Sequence, residues 1–402
     1  MNSSVDDLTP VLGNFLDIER PYMTKRIIYL PLEPYESRYT LQLKDWNENR
    51  FAQHGVEFLT VYGRTLREDK DIKTGQVLDA HGRCYWSMTQ MAEVVRLMEA
   101  GEITSNDVIF SEDLFQPGYE SLPYIINQLP DNMKPKVFTR NLAQSIDPDD
   151  FVFPWRAWMR DFEQLVAKTC DGILMANTEM GPHMRIALLE APLYVTGLPF
   201  DRDEVRSRVG GLAALKPLDQ RKKRIVYSSR FDHEKQPDFF MDLIEKSDFV
   251  ERGYEFWILT GAKKLRSTHQ AYVDRARKLE AEGKLVIKEG LQKSEYYEIL
   301  ADSQLQFNCA RQDWQSNTLN EASALGTLSL CPAFRSFPQA LNNSAKHLYV
   351  PWSVEDAITK MDYLLTTLDD SEVFYAADDQ HQSIDRTIDI LLGQGERYRY
   401  QG

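Results

Sequence analysis

The sequence of 402 residues is poor in cysteine and in long apolar runs, and its cations are outnumbered by its anions. Its four cysteines, Cys84, Cys170, Cys309 and Cys331, lie far apart, without a C-x-x-C pair or a histidine at metal-ligand spacing. This argues against a disulfide framework and a zinc site, and predicts buried free thiols. No run approaches the roughly 18 apolar residues of a membrane helix, and the opening MNSSVDDLTP lacks the charged and apolar regions of a signal peptide. The expectation is a cytoplasmic protein without membrane insertion. Lys and Arg number 47 against 61 Asp and Glu, a net charge of −14. That balance argues against a surface that embraces nucleic acid but leaves room for a local basic cleft. Short repeats and low-complexity tracts are absent, and nothing marks an obligate protein partner.

What is present is ordinary globular material, with 43% hydrophobic and 27% charged residues. At roughly 100–200 residues per domain, the length suits two domains and a tail. Apolar runs alternate with helical patterns: strands are predicted at Arg26–Leu30, Val56–Tyr62, Val108–Phe110, Lys136–Thr139, Gly172–Ala176 and Leu193–Thr196. Helices are read from about Thr40 to His54 and from the recurrence of Met88, Met91, Val94, Val95 and Met98. The rhythm breaks over Asp201–Arg224, which holds Gly210-Gly211, Pro217 and the basic run Arg221-Lys222-Lys223-Arg224. It then restarts, with strands at Ile225–Ser228, Phe256–Leu259, Leu285–Ile287, Leu305–Asn308 and Thr327–Leu330, and helices near 237–247, 268–281, 293–302 and 318–325. Strands apolar throughout and separated by helices imply parallel sheets covered on both faces. The predicted fold class is therefore α/β, with two Rossmann-like doubly wound domains facing a cleft. They span residues 1–205 and 206–375, followed by a helical tail over 376–402 that crosses back to the first domain.

Two stretches carry chemistry. Tyr227 to Asp238 runs from a strand through a loop with Arg230 and Lys235 to Pro237, a residue suited to a first helical turn. Two cations there can converge on a diphosphate, and solvated loop charges are the alternative. In Asp313 to Thr327, two carboxylates, Asp313 and Glu321, flank a helix start where Ser316, Asn317 and Thr318 can cap. The free amides of such a helix bind anions, and Glu321 suits vicinal hydroxyls such as those of a ribose. A capped surface helix is the plain alternative.

Both stretches resemble signatures of the glycogen-synthase-like group 1 glycosyltransferases, which have the GT-B fold and retain anomeric configuration. Ser229-Arg230-Phe231 and Lys235 resemble the family's Gly-Arg-Leu-x-x-x-Lys-Gly loop. Asp313, Glu321, Ala322, Ala324, Gly326 and Thr327 match its Glu-x7-Glu motif and the Glu-Ala-x-Ala-x-Gly-Thr-Pro that follows. Val195 to Asp201 resembles the interdomain segment, and Leu285 to Leu291 the strand and loop bordering the nucleotide base. The resemblance implies that Arg230 and Lys235 bind the diphosphate of a nucleotide-sugar donor, and that Glu321 holds the ribose. It further implies that Asp313 contacts the donor sugar, with Ser229, Gly290, Leu291, Ser316, Asn317 and Thr318 as further donor contacts. A UDP-sugar is the implied substrate, with no cofactor and no metal required.

Departures from the pattern matter equally. Asp313 is shorter than the usual Glu, Ser229 and Gln236 replace glycines, and Trp314-Gln315-Ser316 replaces Gly-Phe-Gly, so a bulkier sugar-binding loop and an unusual donor sugar are expected. In the acceptor-side domain the Gly-rich loop after the first strand is absent, and Thr139-Arg140-Asn141 stands where a His often follows the fourth strand. Leu32 to Thr40 and Ala143 to Phe151 are similar to segments of tailed-bacteriophage glycosyltransferases. This implies a hydroxymethylated pyrimidine of phage DNA, or else a surface glycan, as acceptor. Glu33, Asn141 and Asp147 are the acceptor-side candidates. Arg221 to Arg224 with Lys263, Lys264 and Arg266 are candidate phosphate contacts, with solvated helix and linker charges the leading alternative, and Tyr35, Tyr39, Trp155 and Trp158 are candidate stacking residues, with core packing the alternative. The leading expectation is a retaining, metal-independent glycosyltransferase. A nucleotide-sugar epimerase or hydrolase and a non-catalytic binding protein on the same scaffold are the alternatives. Cleft closure is expected about residues 198–222 and the tail.

Overall fold

The computed structural model describes residues 25–399, except 36–37, 69–78, 144, 151 and 188. Glu36, Ser37, Gln144 and Phe151 of the phage-like segments, and the opening MNSSVDDLTP, lie outside the described residues.

The first half contains β1 (Arg26–Leu30), α1 (Tyr39–Gln53), β2 (Phe58–Thr60), α2 (Ala80–Glu99), β3 (Asp107–Ser111), α3 (Ser121–Ile126), β4 (Lys136–Arg140), α4 (Arg156–Thr169), β5 (Gly172–Met175), α5 (Met180–Ile186) and β6 (Leu193–Val195). After α6 (Arg202–Ser207) the second half contains β7 (Lys222–Tyr227), α7 (Pro237–Lys246), β8 (Glu255–Leu259), α8 (Gln270–Ala281), β9 (Leu285–Lys288), α9 (Lys293–Ala301), β10 (Ser303–Phe307), α10 (Asn317–Ala324), β11 (Leu328–Pro332), α11 (Phe337–Ala340), β12 (Leu348–Tyr349) and α12 (Val354–Thr367). The tail forms α13 (Tyr375–His381) and α14 (Ser383–Leu391).

The strands make two six-stranded sheets, in the orders β2-β1-β3-β4-β5-β6 and β12-β11-β10-β7-β8-β9, with every pairing parallel. Helices cover both faces, which is why Ile27 to Leu30 and Val108 to Phe110 are apolar without alternation and fully buried. The order of each sheet reverses once, between β1 and β3 and between β7 and β10. At such a reversal the flanking loops diverge and leave a crevice at the carboxyl ends of the strands.

Several boundaries differ from the sequence reading. The second strand spans only Phe58–Thr60, because it pairs with β1 over three positions at the sheet's edge. β12 has two residues, too few to leave a periodic signal. In α2 the buried side is Trp86, Met91, Val94 and Leu97, whereas Met88 and Val95 are exposed. Cys84 is likewise exposed, while Cys170, Cys309 and Cys331 are buried, and all four are free.

The basic run is not a solvated linker. Lys222 to Arg224 begin β7 at its amino end, opposite the crevice. Arg221 donates to the Lys216 carbonyl at 2.8 Å and to Thr327 Oγ1 at 3.1 Å, and Arg224 stacks 3.8 Å over Trp257. Both are at least 93% buried, so neither is free to contact a phosphate.

The two halves share a core. One cluster runs from Tyr29, Trp46 and Phe200 to Val226, Tyr297 and Ala322, and takes in Ile384 and Ile388 of α14. Arg140, fully buried, binds Glu112 Oε1 (2.7 Å), Thr196 Oγ1 (3.0 Å), the Gly197 carbonyl (2.8 Å) and Thr387 Oγ1 of α14 (3.2 Å). Arg50 of α1 clamps Asp385 through two bonds of 2.6 and 2.7 Å. Among the described residues no helix is long and apolar enough to cross a membrane.

Candidate functional site

Two loops meet where the second sheet reverses. The loop after β7 ends in a single tight turn, His233–Lys235, and passes through Gln236 into α7. Gln236 is left-handed, with φ of 48°, at the position where the resembled motif carries glycine. The loop after β10 runs from Asn308 to Ser316 and enters α10. Two hydrogen bonds to backbone carbonyls stitch the two together: the Arg311 amide donates to the Glu234 carbonyl at 2.8 Å, and the Cys309 thiol to the Gln236 carbonyl at 3.2 Å.

This stitching brings Lys235 to Asp313. The Lys235 ammonium donates to the Gln312 carbonyl at 2.5 Å and lies 3.4 Å from Asp313 Oδ2, with the lysine only 8% exposed. Arg230 is half-buried, and its guanidinium pairs with Glu234 at 2.7 Å. Ser229 precedes it in the same loop, also half-buried.

The start of α10 is capped by Ser316, whose Oγ accepts from the Leu319 amide at 3.4 Å and from Asn308 Nδ2 at 3.2 Å. Thr318 Oγ1 lies 3.1 Å from Ser316 Oγ and accepts from Gln306 Nε2 at 3.4 Å. By helix geometry the amides of Asn317 and Thr318 have no acceptor inside the helix and carry its positive dipole end.

One turn on, the buried Glu321 carboxylate is gripped through Oε1 by the Lys293 ammonium and by the Tyr297 hydroxyl at 3.1 Å. Gln42 of α1 donates to the same hydroxyl at 3.3 Å, so the first half reaches the Glu321 carboxylate through one bridging side chain. Burial, reinforced by the Glu321 charge, pushes the Tyr297 phenol up and keeps it a donor. Glu234, Lys293, Tyr297 and Gln42 were not singled out from sequence. The Lys293-x-x-x-Tyr297 spacing, one helical face just after Gly290-Leu291, was the available signal for two of them.

Gly290, with φ of 67°, and Leu291 turn the chain after β9, their amides held by the Ala262 and Thr260 carbonyls at 2.8 and 3.2 Å. Lys263, Lys264 and Arg266 lie exposed in the neighbouring loop after β8.

The three acceptor-side candidates have different surroundings. Asp147, fully buried, is bound by Arg335 of the second half at 2.9 Å, and burial raises its carboxyl. Asn141 Oδ1 accepts from the Ala143 amide at 3.1 Å within its own loop. Glu33 is 7% exposed beside Tyr35, and burial pushes its carboxyl up. Of the proposed stacking residues, Tyr35 and Tyr39 are turned inward, Tyr39 donating to the Pro199 carbonyl, while Trp158 is 50% exposed against Phe115.

Asp147 belongs to a set of bridges across the cleft. Arg311 approaches Asp149 at 3.3 Å and Gln312 donates to Asp150 at 3.2 Å. Trp314, where the motif has glycine, is 4% exposed and packs in the core of the first half, 4.9 Å from the His183 ring. Its carbonyl accepts from Asn177 Nδ2. The Trp314 side chain thus crosses the cleft into the first half.

Among the described residues one group has a spacing that suits a metal ion: Asp201, Asp203 and His381. Asp201 already caps α6 by accepting from the Asp203 and Glu204 amides, both at 3.0 Å, and Asp203 pairs with Arg202 at 2.9 Å.

No family model matches the chain, and no curated protein matches it. Solved structures do. A sucrose-phosphate synthase from Thermosynechococcus elongatus aligns with a TM-score of 0.60 at 10% identity, over 92% of this chain and 98% of that one. A UDP-forming alpha,alpha-trehalose-phosphate synthase from Burkholderia xenovorans gives 0.59 at 10% identity, over 92% and 97%. An E. coli trehalose-6-phosphate structure bound with UDP-2-fluoro glucose gives 0.59 at 13% identity, over 93% and 100%. At these identities the likeness is one of fold: two parallel six-stranded α/β units arranged as GT-B.

Proposed function

We propose that the chain is a glycosyltransferase that moves a sugar from a nucleotide sugar, a UDP-sugar, to an acceptor hydroxyl with retention of configuration and without a metal ion. The observation that carries this reading is the convergence of Lys235, Asp313, the start of α10 and Glu321 on one sheet reversal. Leaving-group departure puts negative charge on a nucleoside diphosphate. In a dry cleft, Arg230, Lys235 and the amides of Asn317 and Thr318 stabilise that charge. Glu321 holds the ribose, Asp313 orients the donor sugar, and Gly290 and Leu291 border the base. The departing diphosphate itself takes the acceptor proton on the face it leaves. Two of the structures of like fold, one described as UDP-forming and one bound with UDP-2-fluoro glucose, support the choice of UDP.

The acceptor tested first is a hydroxymethylated pyrimidine of DNA, for which the exposed Lys263, Lys264 and Arg266 supply phosphate contacts on the cleft edge. Glycans form the second arm. UDP-, GDP- and ADP-sugars are incubated with hydroxymethylated DNA, with simple glycosides or with no acceptor, and released nucleotide is measured with and without EDTA. Acceptor-dependent release that survives EDTA and disappears in Arg230→Ala and Glu321→Ala supports the assignment. Conversion without acceptor identifies an epimerase or hydrolase instead. Donor binding without release under any acceptor identifies a binding protein.

A further inference from the structure

Behind α10, on the face turned away from Glu321, lies a cavity of about 400 Å3. Its walls are Leu319 and Ser323 of α10, Ser329 of β11, four residues between Leu341 and His347, and four between Ser371 and Ala376. Leu319 and Ser323 share one face of the helix, and Glu321 projects about 160–200° around the axis from either. The cavity and the donor cleft therefore share a helix but no side chain.

The described lining holds no Lys, Arg, Asp or Glu. Its polar groups are hydroxyls, chiefly Ser329, Ser344, Ser371 and Tyr375, with the amide of Asn342 and the imidazole of His347. A described lining without a fixed cation is ill matched to a phosphate. Hydroxyls and an amide both donate and accept, as do the ring hydroxyls of a sugar, and an aromatic ring at the rim suits a sugar's apolar face. The volume falls within the roughly 300–1,000 Å3 of small-molecule sites.

Ser329 is 4% exposed on the wall of the cavity, and among the described residues its Oγ has no hydrogen-bond partner. His347 Nδ1 donates to the Ser329 carbonyl at 2.7 Å, which fixes the ring on the cavity wall. Ser323 Oγ donates to the Val373 carbonyl at 2.7 Å and accepts from the Ala377 amide at 3.0 Å, so α10 also fastens the segment that closes the far side. Entry is open at the rim, where Asn342, Ser371 and Tyr375 are exposed.

We propose a second binding site, for a neutral saccharide of one or two rings, on the rear face of α10. It is separate from the donor cleft and does not depend on the reaction assigned to that cleft. Glucose, galactose, N-acetylglucosamine and maltose are titrated into the full chain and followed by saturation-transfer NMR and calorimetry, with glucose 6-phosphate and UDP for comparison. At least one of the four binds, more tightly than glucose 6-phosphate, and saturating UDP does not displace it. Ser329→Leu, which fills the cavity, weakens that binding at least tenfold, and Tyr375→Ala, at the exposed rim, at least threefold. Should Ser329→Leu fail to fold, Tyr375→Ala alone decides. Binding by none of the four sugars, displacement by UDP, or unchanged affinity in the deciding variant overturns the proposal.

Discussion

Replacing Glu321 by glutamine is expected to weaken UDP binding by about 2 kcal/mol, roughly thirtyfold. Glu321 Oε1 is taken by Lys293 and Tyr297, so the proposed ribose contact falls to Oε2. A hydrogen bond to a charged group contributes about 1.5–3 kcal/mol and a neutral one about 0.5–1.5 kcal/mol. Glutamine keeps one carbonyl acceptor and puts an amide where the other oxygen was. It therefore loses one charge-assisted bond outright and weakens the other. Stability changes little, because the Lys293 side chain is 39% exposed and water replaces its lost partner. Calorimetry with UDP and with its 2′,3′-dideoxy analogue separates the ribose contact from everything else. The variant should lose thirtyfold toward UDP and less than threefold toward the analogue. An equal loss toward both, or none toward UDP, would refute a ribose role for Glu321.

Four further outcomes are expected. Lys235→Met should lower turnover by about 10²–10³ with an unchanged circular dichroism spectrum, since it removes one donor to the leaving group. Arg140→Met, which strands Glu112 in the core, should cost about 3–5 kcal/mol in urea denaturation, and adding Glu112→Gln should recover part of that. Arg335→Ala, which leaves Asp147 buried without its cation, should raise the radius of gyration of the nucleotide-free chain in solution scattering; no change would remove these bridges from the account of closure. Burial raises the Asp385 carboxyl, but Arg50 and His54 outweigh it and hold the group below its ordinary value. Such a carboxylate stabilises the fold above its unfolded pKa of about 3.9, and that contribution is lost as pH falls through the folded value. Hydrogen-exchange protection factors in α14, corrected for intrinsic rates, should therefore fall below about pH 4.

The sheets were legible because parallel strands buried on both faces are continuous apolar runs, and the Lys235 and α10 loops because their residues are close in sequence. Lys293, Tyr297 and Gln42 escaped notice because their meeting with Glu321 is made by α9 and α1 packing together, which no local pattern encodes. Arg221 and Arg224 misled for the opposite reason. A run of four cations looks like a solvated surface, yet two of them sit against Thr327 and Trp257. Trp314 was read as bulk in the sugar loop, whereas its ring belongs to the hydrophobic core of the other half.

The contact between Arg140 and Thr387 spans 247 residues, which at roughly 5–20 residues per second is about 12–50 s of synthesis. During that interval the buried guanidinium lacks one of its acceptors, and the core that takes in Ile384 and Ile388 lies open. The first sheet can pair its strands early, but the half it belongs to is finished only when the ribosome reaches α14. A stop codon ahead of residue 383 would thus injure the part of the chain made first.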